Sequence, residues 1–374
     1  MGLRMRRIRF HGSRLGITFT IALVIILIVL SASGCGITVP ASSKPAGNSK
    51  LLFSYKGKIF SIGEENNSLT KLSGDEVKAI EDYPRWSPDR RTIAFIRYIR
   101  NTEATSEGGV GKYSNVDGEI WLMDSSGNNR TKLADVLNRK NLNLQYFEWA
   151  SDGKGLICAE LAPSYLLYET FLTHKRTKIN DSSLSSIGRP REVTVSPLSQ
   201  QIALLFLQIT SVELQNLASS SFSNNTIGDP VMVLSSSTDL GLSRISAPSI
   251  RWLTKEELIF PELEQAPVVS RPGTAAPVQC RLWKLNVSSG EKALLFQGAQ
   301  GEIIGCLSVS PDRAKVSFLS YQQNPNAEQF SNDWAEDKAP RPSILDLQTG
   351  KVTRITLPTF DGNEPVESLN WSSP

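Results

Sequence analysis

Six copies of one pattern run through the chain. An apolar segment ends in a turn that reads like Trp-Ser-Pro-Asp, and a second apolar segment follows. The clearest copy is Tyr83-Pro84-Arg85-Trp86-Ser87-Pro88-Asp89, then Thr92-Ile93-Ala94-Phe95. The next two are Phe147-Glu148-Trp149-Ala150-Ser151-Asp152 with Leu156-Ile157-Cys158, and Val193-Thr194-Val195-Ser196-Pro197 with Ile202-Ala203-Leu204. A degenerate copy reads Ile250-Arg251-Trp252-Leu253-Thr254, then Leu258-Ile259-Phe260. The last two are Leu307-Ser308-Val309-Ser310-Pro311-Asp312 with Val316-Ser317-Phe318, and Leu369-Asn370-Trp371-Ser372-Ser373-Pro374. The Trp/Val position recurs at 86, 149, 195, 252, 309 and 371. Strand-like repeats with periods of about 40–60 residues signal a propeller rather than a helical solenoid.

Each unit has a second half. Ile120-Trp121-Leu122-Met123-Asp124 leads through Ser126-Gly127 into Thr131-Lys132-Leu133, and Leu282-Trp283-Lys284-Leu285 and Ile344-Leu345-Asp346-Leu347 are built alike. Strand, glycine turn, strand is a hairpin signature, so each unit predicts four antiparallel strands, A to D, which make one blade. The sixth unit holds only strand A. Its missing strands stand at the start of the body, as Leu51-Leu52-Phe53-Ser54, Lys58-Ile59-Phe60-Ser61-Ile62 and Leu69-Thr70-Lys71-Leu72. The expectation is an all-β, six-bladed β-propeller over 51–374, closed by N- and C-terminal strands in one blade. Closure removes the free ends that an open array must cap.

Trp86-Ser87-Pro88-Asp89, Ile93-Ala94-Phe95, Ile120-Trp121-Leu122-Met123-Asp124 and Val309-Ser310-Pro311-Asp312 resemble the six-bladed propeller of TolB and related WD-like repeat proteins. The resemblance covers Leu51–Pro374. It implies a fold and leaves function open, and it departs from TolB in having a short tether where TolB has an α/β domain.

Residues 1–34 read as a targeting segment. Arg4, Arg6, Arg7, Arg9 and Arg14 precede an almost wholly apolar run from Leu15 to Leu30, with no acid among them. Basic flank, apolar stretch and small residues form the export pattern. The basic flank stays on the cytoplasmic side, which puts the body outside. Leu30-Ser31-Ala32-Ser33-Gly34-Cys35 resembles a bacterial lipobox, with Ala32 where that signal prefers Leu, Val or Ile. The resemblance implies lipid attachment at Cys35 after cleavage. The alternative is an uncleaved anchor helix, because the uncharged run to Val39 suffices to span a bilayer at about 20 residues. Residues 35–50 are small, polar and Pro-containing and read as a flexible tether. The five arginines also account for the formal net charge of +3, since 35 basic residues face 37 acidic ones without them. A mildly acidic body lacks the basic footprint of a nucleic-acid binder.

The A–B and C–D turns are short, whereas the B–C connections are predicted long at Arg100–Gly118, Gln208–Asp229, Pro261–Gln279 and Gln322–Arg341, with a lesser excursion at Leu161–Tyr165. Long loops sharing one face suggest a recognition surface. Cheap insertion competes with that reading, and Ser219–Asn225 has its composition. Phe330, Trp334 and Asp337 form the candidate partner-binding loop, an aromatic anchor in an acidic stretch.

Catalytic patterns are missing from the sequence. No G-x-S-x-G elbow, P-loop, H-E-x-x-H or EF-hand is present, and of the two histidines only His174 lies in the body, with a charged stretch around it. No metal or cofactor is expected. Trp86, Trp149, Trp252 and Trp371 read as packing between blades, and Asp89, Asp152 and Asp312 as turn caps. Cys158 occupies the core slot of Phe95, and a Cys280–Cys306 disulfide is an option in an oxidising compartment. The sequence therefore predicts a monomeric, membrane-anchored, extracytoplasmic binding or scaffold module for a cell-envelope protein or glycan. The alternative is a channel-sited enzyme acting on a polysaccharide, for which Glu148 and Glu302 are the candidate carboxylates.

Overall fold

The computed structural model describes residues 49–372 apart from 64–67, 77–78, 100–117, 135–143, 161–165, 171–174, 179–188, 209–213, 224–225, 228–230, 237–249, 266–277, 323–339 and 356–365. They lie within one compact unit, Gly47–Pro374. Among them every regular element is a strand, and no helix is long and apolar enough to cross a membrane. Residues 1–34, Cys35 and the tether as far as residue 48 lie outside the described residues.

The strands in chain order are β1 (Lys50–Tyr55), β2 (Lys58–Gly63), β3 (Leu69–Lys71), β4 (Ala79–Trp86), β5 (Thr92–Ile99), β6 (Gly118–Asp124), β7 (Thr131–Ala134), β8 (Leu144–Trp149), β9 (Gly155–Glu160), β10 (Leu166–Thr170), β11 (Lys175–Lys178), β12 (Arg189–Val195) and β13 (Gln201–Gln208). They continue as β14 (Leu214–Ser223), β15 (Thr226–Ile227), β16 (Val231–Ser236), β17 (Arg251–Trp252), β18 (Glu257–Gln265), β19 (Val278–Asn286), β20 (Lys292–Gln300), β21 (Glu302–Val309), β22 (Lys315–Gln322), β23 (Arg341–Asp346), β24 (Val352–Arg354) and β25 (Val366–Trp371). They pair into antiparallel sheets ordered β4-β5-β6-β7, β8-β9-β10-β11, β17-β18-β19-β20 and β21-β22-β23-β24, and a further sheet β12-β13-β14, on which β15 and β16 both pair with β14. The remaining sheet, β25-β1-β2-β3, joins the two ends of the described chain. Leu51 faces Trp371 and Phe53 faces Leu369, as Ile93 faces Trp86 in the next sheet. The first strands β25, β4, β8, β12, β17 and β21 touch one another in cyclic order.

Local chemistry sets the turns. The Ser87 hydroxyl donates to Asp89 Oδ1 at 2.6 Å and accepts the Thr92 N–H at 3.0 Å, and Asp89 also accepts the Arg91 N–H at 3.1 Å. The Ser87 hydroxyl above all, with the Arg91 N–H, holds the Asp89 carboxyl below its usual range. Ser310 and Asp312 repeat the arrangement. The fourth turn residue is left-handed in each, Arg90 at φ 62, Gly153 at φ 68 and Arg313 at φ 59, a conformation that costs little only for glycine.

The second strand of each sheet carries one core residue in the same slot, namely Phe53, Phe95, Cys158, Leu204, Phe260 and Phe318. All are at most 4% exposed. Burial on this scale is the dominant stabilising term of such a domain. The Trp149 indole N–H donates to the Arg85 carbonyl at 3.0 Å, and that of Trp252 to the Thr194 carbonyl at 3.1 Å. These tryptophans therefore stitch one first strand to its neighbour.

Three sequence expectations change. Gln208–Asp229 is not an open loop, because β14 runs through it and pairs with β13 from Gln201–Ser221 to Gln208–Leu214. The serines of Ser219–Asn225 thus continue a strand as far as Ser223, a placement set by ladder hydrogen bonds against weak local propensity. Pro261–Gln279 also shrinks, since β18 continues to Gln265 with Pro261 opposite Leu282. Cys280 and Cys306 are free buried thiols. The Cys280 thiol donates to the Ile304 carbonyl, while Cys306 Sγ accepts the Leu369 N–H at 3.1 Å from the closing strand.

Candidate functional site

Side chains alternate along a strand, and the first strands show what this produces. The residue two before the Trp/Val marker is apolar in every copy (Pro84, Phe147, Val193, Ile250, Leu307, Leu369) and packs into its sheet. The residue one before it is polar in every copy (Arg85, Glu148, Thr194, Arg251, Ser308, Asn370). Because the first strands touch in cyclic order, these polar residues meet around a common axis near the A–B turns.

They are densely connected. Arg251 Nη1 lies 3.2 Å from Glu148 Oε2 and 4.0 Å from Glu192 Oε1, three different sheets meeting at one cation. Glu192 is fully buried and accepts the Ile250 N–H at 3.0 Å. Arg85, also fully buried, donates to the Pro84 carbonyl at 2.9 Å and the Leu369 carbonyl at 3.4 Å. Asn370 Oδ1 accepts the Trp86 N–H at 2.7 Å, and Ser308 Oγ accepts the Trp371 N–H at 2.8 Å. Asp82 accepts hydrogen bonds from the hydroxyls of Ser54 and Ser368. Burial pushes the Cys306 thiol up to about 11 against the opposing pull of Arg85, so this cysteine is an inert thiol rather than a nucleophile.

At the turn end of the axis lies a cavity of about 80 Å³, bordered by Glu148, Thr194, Arg251, Ser308, Arg313 and Asn370 together with Trp252 and Trp371. Small-molecule sites usually span about 300–1,000 Å³. This one has room for a few waters or one small polar head, not for a sugar ring.

The candidates of the sequence separate here. Glu148 lies in the cavity lining, paired to Arg251. Glu302 opens β21 at the other end of its strand, and its carboxylate accepts the Ala299 N–H at 2.9 Å. The two carboxylates therefore do not converge. Phe330, Trp334, Asp337 and His174 lie outside the described residues. Among the described residues no group of three His, Cys, Asp or Glu side chains is placed to hold a metal. Sequence reasoning missed Arg85, Arg251, Arg313 and Asn370. For three of these a signal existed, the unbroken polar column one residue before the marker.

No protein-family model matches this chain, and no curated protein matches it in sequence. Solved structures do resemble it. One, from a nidogen/laminin complex, superposes with a TM-score of 0.56 at 10% identity over 87% of this chain and all of that one. A putative TolB from Agrobacterium tumefaciens superposes with a TM-score of 0.52 at 13% identity, over 87% of this chain and 98% of that one. Likeness at this level of identity shows the fold alone, a TolB-like β-propeller.

Proposed function

We propose that the chain is a binding or scaffold module: a six-bladed propeller, closed in one blade by its two ends and tethered to the extracytoplasmic side of a bacterial membrane, that engages a cell-envelope protein or glycan. Glu148 carries this reading against the enzymatic one. Glycoside hydrolysis needs two cooperating carboxylates roughly 5–10 Å apart, one of them a proton donor. Glu148 instead pairs with Arg251 at 3.2 Å, and the neighbouring carboxylate Glu192 is fully buried, shares that guanidinium at 4.0 Å and accepts the Ile250 N–H at 3.0 Å, so both are held by protein groups rather than presented to a substrate. Crosslinking of the full chain in membranes, followed by mass spectrometry, is expected to trap one dominant envelope partner. Turnover of a glycan panel, lost in Glu148→Gln, would establish the enzyme instead.

The anchor has its own test. The apolar run and Cys35 predict that Cys35→Ala abolishes fatty-acid labelling and leaves the precursor uncleaved. Unchanged labelling in that variant would remove Cys35 as the attachment site. With three acyl chains or two, anchoring is stable, since each buried methylene adds about 0.8 kcal/mol.

A further inference from the structure

The cavity at the turn end leaves one of its charges unanswered. Its charged lining residues are Glu148, Arg251 and Arg313. Glu148 answers Arg251 at 3.2 Å. The half-buried guanidinium of Arg313 has no hydrogen bond or ion pair among the described residues, and burial pushes its ionisation down from the ordinary value. Asp312, its chain neighbour, turns away to the Ser310 hydroxyl at 2.7 Å and the Ala314 N–H at 3.0 Å. With Glu192 also 4.0 Å from Arg251, the cluster carries two carboxylates and two guanidiniums, and Arg313 is the charged lining residue that no carboxylate reaches among the described residues.

Two further donors border the same space. Ser308 Oγ accepts the Trp371 backbone N–H at 2.8 Å, which leaves its own proton to give. The buried Trp371 indole N–H has no hydrogen-bond partner, which is true also of its counterpart Trp86, whereas those of Trp149 and Trp252 do. A buried donor left without an acceptor costs free energy that a bound acceptor recovers.

We infer that the channel mouth at the turn end is a carboxylate-binding site, in which Arg313 pairs with an acidic side chain of a protein partner. A single uncompensated guanidinium matches a monoanion, and its planar fork matches a carboxylate. At roughly 30 Å³ per water, the cavity of about 80 Å³ admits a carboxyl head with a methylene. The rim favours a protein source. Leu198, next to the lining residue Pro197, is 51% exposed, one of two large apolar side chains so exposed among the described residues. The inference deepens the binding-module reading and rests on it for the nature of the partner.

The test titrates the detergent-solubilised full chain with sodium acetate at constant ionic strength, reading tryptophan fluorescence from the cavity wall. The wild type is expected to saturate in the millimolar range. Arg313→Gly, which suits the left-handed turn and so spares folding, is expected to weaken binding about 10-fold or more. Arg90→Gly, the same change in a turn that does not line the cavity, is expected to leave it unchanged. An unsaturable wild-type response, or equal binding by Arg313→Gly, overturns the site. Inorganic phosphate binding as tightly as acetate overturns the monoanion assignment, and glucuronate binding tighter than acetate transfers the site to an acidic glycan. The titration judges the site by itself. Membrane crosslinking of the wild type, with no dominant partner trapped, would instead defeat the reading beneath it.

Discussion

Deleting Glu367–Pro374 is expected to abolish cooperative unfolding of the domain. The segment carries all but the first residue of β25, and with it Ser368, Leu369 and Trp371, each at most 2% exposed. Its loss leaves β1, an otherwise buried strand, as an open edge. It also strips Ser308 of the Trp371 N–H, Cys306 of the Leu369 N–H and Trp86 of the Asn370 acceptor. Removing a buried Leu or Trp side chain alone costs about 2–5 kcal/mol, against a total domain stability of about 5–15 kcal/mol. Trp371→Ala is the graded version, expected to lose about 3–5 kcal/mol in denaturant unfolding. A truncated chain that melted within a few degrees of the intact one would show that the closing strand is dispensable.

Arg251→Ala is the second large effect. The guanidinium stands between Glu148 and Glu192, and the latter has no exposed surface. Truncating one partner of a buried charge group leaves the others desolvated without compensation, at a cost of about 3–5 kcal/mol. A fall in melting temperature on the order of 10 °C is expected. Arg251→Met combined with Glu148→Gln and Glu192→Gln should be more stable than Arg251→Met alone, because no carboxylate is then left without its cation. Equal stability of these two variants would mean that Arg251 does not interact with the two carboxylates.

The repeat made the architecture legible because its turn chemistry and its core slots are local. Ser87 and Asp89 form their turn from neighbours only a few residues away, and Phe95 marks its strand without help from another sheet. Even the closing pair could be read, since Leu51-Leu52-Phe53 supplies the partner that Trp371 needs. Less local features were hidden. β14 is held by its ladder to β13, so Ser219–Ser223 looks like loop in isolation. The Arg251–Glu148 pair joins residues 103 apart in sequence and on different sheets. Glu148 was visible as a lone acid, but its neutralisation was not. The polar column stood in the sequence all along, readable once strand alternation is applied to the residue before each marker.

Closure is most directly tested by a crosslink between the two ends. Lys50 and Ser372 exchange contacts across the β1–β25 junction, the Ser372 N–H donating to the Lys50 carbonyl at 3.0 Å and the Lys50 N–H to the Ser372 hydroxyl at 3.4 Å. Residues paired this way lie within the roughly 4.4–6.8 Å Cα separation that a disulfide requires. In the full-length Lys50→Cys/Ser372→Cys variant, mild oxidation followed by intact mass and thermal melting is expected to give one intramolecular disulfide in nearly all molecules and a gain of about 5 kcal/mol, as the chain-entropy relation gives for a closed loop longer than 100 residues. Two thiols that both remain alkylatable in the folded protein under the same oxidation would contradict a sheet shared by the two ends.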